Sequence, residues 1–89
     1  MRFMQTRSPL PRMRLWAAYS HGFSFVISEE CERGDPEWSG YMASWKNTRA
    51  DMTPHGKQPA NLIDGGPWQS YVEAERACKL TLRQLRAKQ

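Results

Sequence analysis

RLWAAYSHGFSFVIS, residues 14–28, is the stretch on which the fold turns. Leu15, Ala17 and Tyr19 alternate with Trp16 and Ala18, and then Phe23, Phe25 and Ile27 alternate with Ser24, Val26 and Ser28. A period of two is the mark of β structure. Ser20, His21 and Gly22, all turn or bulge formers, separate the two runs. The stretch is therefore either one long bent strand or a tight hairpin, with its aromatic residues inward.

Toward the C-terminus, residues 29–39 are acidic and contain Gly34, Asp35 and Pro36, so they read as a loop: Asp opens a turn and Pro presets its φ. Residues 40–47 alternate again, with Tyr41, Ala43 and Trp45 on one face and Met42, Ser44 and Lys46 on the other. Residues 48–59 are polar, with two prolines and a glycine, and form an irregular connection. Asn61, Leu62 and Ile63 make a short further strand, and Asp64, Gly65, Gly66 and Pro67 turn the chain.

Ser70 and Glu73 have capping-box spacing, which predicts a helix from Tyr71. At about 100° per residue, Tyr71, Ala74, Ala77, Cys78, Thr81, Leu82 and Leu85 share one face, while Arg76, Lys79, Arg83 and Arg86 lie outside it. The expected fold is α+β: an antiparallel sheet of three to four strands with the C-terminal helix on one face, in β-β-β-α order. Residues 1–12 hold two prolines and three arginines without a hydrophobic period and read as a flexible basic arm, leaving residues 13–89 as a single α+β domain.

Several classes are set aside by size and composition. A chain of 89 residues has room for one core. No apolar run approaches the roughly 20 residues that cross a bilayer, so no membrane contact is expected. Pro9, Pro11, Arg12 and Arg14 occupy the place where a secretory signal would be apolar. Cys31 and Cys78 are too few for a disulfide framework, which favours a reducing, cytoplasmic setting.

The net charge of +4 arises in residues 1–14: Arg2, Arg7, Arg12 and Arg14 precede the first acid, Glu29, and the remaining basic and acidic side chains balance. Charge is nevertheless segregated between the acidic loop and the basic end of the helix.

Catalysis and cofactors find no support. His21, Cys31, His55 and Cys78 lack the paired spacing of a metal site. Cys78 lies on the apolar helix stripe, and the acids beside Cys31 disfavour a thiolate. Ser44 near Lys46, and His55, have no third partner to complete a catalytic set. Asp64-Gly65-Gly66 lacks the Lys-Ser/Thr of a phosphate loop. A non-catalytic interaction module without cofactor is expected.

The segment His21-Gly22-Phe23-Ser24-Phe25-Val26 resembles the first ribonucleoprotein motif of RNA-recognition modules, a basic residue followed by Gly, aromatic, small, aromatic and Val. It is also similar to the cold-shock domain, whose motif has a tryptophan six positions before the glycine, as Trp16 stands before Gly22. The resemblance implies Phe23 and Phe25 exposed to stack on unpaired bases. RNA-recognition modules place a strand and a helix before this motif and cold-shock barrels are all β, whereas here an arm precedes it and a helix ends the chain. The same pattern describes an inward-facing strand, and that reading is preferred.

Two functions follow. The first is protein binding or homodimerisation through the sheet face left uncovered, with Met42, Ser44 and Lys46, together with Trp38 of the acidic loop. The alternative is nucleic-acid binding through Arg7 and Arg12 of the arm, Arg14 just after it, and Lys79, Arg83 and Arg86 of the helix, with Phe23 or Phe25 stacking on bases. Burial of both phenylalanines would remove the stacking.

Overall fold

The computed structural model describes residues 1–8, 13–31, 39–48 and 60–88. Five strands, β1 (Met4–Thr6), β2 (Arg14–Ser20), β3 (Phe23–Cys31), β4 (Ser39–Asn47) and β5 (Asn61–Leu62), form one antiparallel sheet in sequence order, and α1 (Tyr71–Ala87) packs on it. This is the expected α+β fold, with one strand more than the alternation predicts.

The central stretch is a hairpin. Ser20 pairs with Phe23 across a two-residue turn, and His21 and Gly22 both take positive φ, 53° and 83°. Two successive positive values mark the turn whose twist matches that of the flanking strands. Glycine meets this demand without a Cβ penalty, and histidine is among the residues that tolerate it. The Gly22 carbonyl accepts from the backbone N–H of Thr48 at 2.9 Å and from its hydroxyl at 2.7 Å, which ties the end of β4 to the same turn.

From this register the faces follow. Trp16 lies opposite Ile27, Ala18 opposite Phe25, and Phe25 and Ile27 opposite Trp45 and Ala43. These side chains face α1, where Phe25 and Ile27 are fully buried. The helix contributes Ala74, Cys78 and Leu82 to the core, with Tyr71, Ala77 and Leu85 at its margin. Its stripe of small side chains lets it lie close over β3 and β4. Trp16 and Trp45 are half-buried at the edges of the core, Trp16 against Tyr71 at 5.0 Å and Trp45 edge-on to Phe23 at 5.8 Å.

The helix begins as its sequence predicts. The Ser70 hydroxyl accepts from the Glu73 N–H at 3.3 Å, but the Glu73 carboxylate accepts from the N–H of Gln69, one residue earlier than in a standard capping box. Along the edge of β4 away from β3, beyond its pairing with β5, Ile63 donates to Ala43, and Trp68 and Tyr41 exchange two backbone hydrogen bonds of 2.9 Å. Trp68 packs over Gly66, where a Cβ would stand 3.0 Å from its ring.

The arm is the point of difference. Met4, Gln5 and Thr6 pair with Ala17, Trp16 and Leu15, so part of the segment read as irregular is an edge strand. It is held by apolar contacts from its first residues: Met1 and Phe3 pack against the core, with the Phe3 ring edge-on to Tyr71 at 6.4 Å.

The separation of the two faces predicts opposite costs at adjacent positions. Phe25→Ala should destabilise by about 3–5 kcal/mol or abolish folding, whereas Ser24→Ala, on the other face, should stay within about 0.5 kcal/mol. Chemical denaturation of the two variants checks this.

Candidate interaction surface

Among the described residues no helix packs on the second face of the sheet. Its upper row, nearest the turn, is Tyr19, Ser24 and Lys46. The middle row is Met4, Ala17, Val26, Ser44 and Leu62, and the lower row is Thr6, Leu15, Ser28 and Met42. Met4, Tyr19 and Leu62 are 69%, 74% and 62% exposed. Exposure of single apolar residues is ordinary, but here three exposed and four half-buried apolar side chains adjoin one another across the strands and make a contiguous patch. Lys46 is the single charged side chain among these twelve positions.

The face is uneven. One shallow depression of about 250 Å³ lies between Ala17, Tyr19, Ser24, Val26, Ser44 and Lys46. A second, of about 240 Å³, lies between Val26, Ser28, Met42, Ser44 and Leu62. Val26 and Ser44 are shared, so the two depressions flank the centre of the face.

Polar chemistry concentrates on the helix side, at the end of the sheet remote from the turn. Arg14 makes a two-pronged pair with Glu29, Nε to Oε1 at 2.8 Å and Nη2 to Oε2 at 2.6 Å, and the Tyr41 hydroxyl donates to the same Oε2 at 2.6 Å. The guanidinium lies 5.4 Å from the Trp16 ring centroid. Hydrogen bonding from Arg14 is the main reason that the Glu29 carboxyl titrates below its ordinary range, and accepting from Tyr41 adds to it. Donation to Glu29 in turn raises the Tyr41 phenol. Burial, with Glu75 nearby, pushes the Tyr71 phenol up to about 12.

This network does not make a ligand cage, because its rings pack on one another. Trp16 and Tyr71 are 5.0 Å apart, and Tyr41 lies 6.2 and 6.4 Å from them. Cys78 is buried, and its thiol is raised to about 12 chiefly by that burial, which suits a packing residue and not a nucleophile. Among the described residues no group of three or more metal-ligating side chains comes together, and no helix is long and apolar enough to cross a membrane.

The residues singled out by sequence divide sharply. Met42, Ser44 and Lys46 stand together on the open face. Phe23 and Phe25 are 5% and 0% exposed beneath the helix, so the exposed stacking platform implied by the ribonucleoprotein resemblance is absent. The apolar surface that Phe23 and Phe25 bury beneath α1 explains the difference. Arg14 is engaged by Glu29, and Lys79 by Glu75 at 3.3 Å. Arg7, Arg83 and Arg86 are exposed, Arg7 just after β1 and the other two on α1. Trp38, Arg12 and most of the acidic loop lie outside the described residues.

Leu15, Ala17, Tyr19 and Val26 belong to the surface but were not singled out, although their alternation with inward residues was the available signal. Comparisons with protein-family models, curated proteins and solved structures find no match. The surface must therefore be interpreted on its own chemistry.

The Arg14–Glu29 pair predicts a pH dependence. Because the folded carboxyl titrates below its ordinary value near 4.5, its contribution to stability is present above that value and is lost as pH falls through the folded pKa. Denaturation midpoints followed into that acidic window should show this loss in the native chain and a smaller one in Glu29→Gln.

Proposed function

We propose that the chain is a non-catalytic protein-interaction module that works through the open face of its sheet. The observation that carries this reading is the apolar face built by Met4, Leu15, Ala17, Tyr19, Val26, Met42 and Leu62, with Lys46 the one charge among its twelve central positions. Such a face gains by desolvation when covered, and its scarcity of charge suits protein contacts better than phosphate contacts. Met42, Ser44 and Lys46 lie within it. Binding there is expected to depend weakly on salt.

A nucleic-acid reading retains one observation in its favour. Arg76, Lys79, Arg83 and Arg86 follow one another at helical spacing along the exposed side of α1, close enough for successive phosphate contacts. It lacks the base-stacking platform, and Lys79 is partly neutralised by Glu75.

An NMR titration of the labelled chain with a short mixed-sequence single strand and a duplex separates the readings. The protein-interaction reading predicts no shifts at moderate salt and no shifts in residues 15–19, 24–28 and 42–46 even at low salt. Shifts along residues 76–86 that persist at moderate salt would contradict it and transfer the working surface to the helix.

A further inference from the structure

We propose that the occupant of the open face is a second copy of this chain, packed sheet to sheet about a twofold axis running along β3; the inference rests on the open face being the working surface. The edges of the sheet argue for face contact. β1 has three residues and β5 two, and strands this short offer little template for edge pairing.

The area is sufficient for a weak dimer. Twelve positions, each about 4.8 Å by 6.8 Å, give a face on the order of 400 Å². Two copies would bury about 800 Å², the size of a weak, reversible contact.

The register decides the axis. Rotation about β3 keeps upper row against upper row and exchanges β2 with β4. Leu15 then meets Met42 of the second copy, Met4 meets Leu62, Ala17 meets Ser44, and Val26 meets its own counterpart. Tyr19 meets Lys46, so the one cation of the face lies against an aromatic ring, a favourable pairing when water is excluded. A twofold axis across the strands would instead set Lys46 over Met42, leaving a buried ammonium without a partner. Aligned sheets pack about 10 Å apart with a rotation near 30°. Small central residues and longer outer ones suit that approach.

Sedimentation velocity of the full chain from low micromolar to millimolar concentration tests the inference, with fluorescence of an anionic apolar dye on dilute samples reporting whether the face is accessible. A reversible monomer–dimer equilibrium little affected by salt is expected, and Val26→Asp should abolish it. Tyr19→Lys sets like charges against each other twice and should weaken the dimer about tenfold or more, and adding Lys46→Glu should restore it. Tyr19 is 74% exposed, so its variants test the interface even if Val26→Asp fails to fold.

A native chain that stays monomeric while binding dye more strongly than Val26→Asp would overturn the second copy and leave the open face as a site for another protein. A monomer that binds no dye would overturn both readings. A dimer unchanged by Tyr19→Lys would overturn the proposed packing.

Discussion

Two consecutive positive φ angles, at His21 and Gly22, set the alignment on which the rest of the structure depends. They close a two-residue turn that places Ser20 opposite Phe23, and every later pairing of β2 with β3 counts from there. A slip of one residue would turn Phe25 and Ile27 outward and bring Ser24, Val26 and Ser28 under the helix. The Gly22 carbonyl, accepting twice from Thr48, extends the same register to β4. The division of the sheet into two faces is thus a consequence of one turn.

A single helix can cover one of those faces. With 17 residues, α1 is about 25 Å long and lies over β3 and β4. Tyr71, Trp16 and Tyr41 fill the side toward β2, and Phe3 extends that packing to β1. Burial on this side provides the hydrophobic stabilisation of a small chain. The opposite side keeps a mixture of aliphatic, serine and alanine side chains, a composition unlike the charge-rich outer surface of α1. This contrast between the two exposed surfaces underlies the assignment of function to the sheet and not to the helix.

Much of this was legible in local sequence. Alternation in residues 40–47 assigns Met42, Ser44 and Lys46 to the face away from Tyr41, Ala43 and Trp45, and the structure keeps them there. Ser70 and the stripe of Ala74, Cys78 and Leu82 mark the start and the packing face of the helix because capping and helical periodicity are short-range properties. What escaped local inspection depends on distant partners. Ser20-His21-Gly22 suits a bulge as well as a turn, and the choice is expressed in cross-strand pairing. Met4–Thr6 is too short to show a period and is held by Phe3 against a helix from the other end of the chain. Arg14 resembles a free phosphate-binding arginine until the register brings Glu29 across from it. Phe23 and Phe25 fit either face by alternation alone, and the position of the helix decides between them.

The most direct test of this account is the accessibility of side-chain methyl groups to a soluble paramagnetic probe in dilute, methyl-labelled protein. The account predicts strong relaxation at Leu15, Val26, Met42 and Leu62 together with protection at Ile27, Ile63 and Leu82. Protection of Val26, or relaxation of Ile27, would contradict the assignment of the two faces.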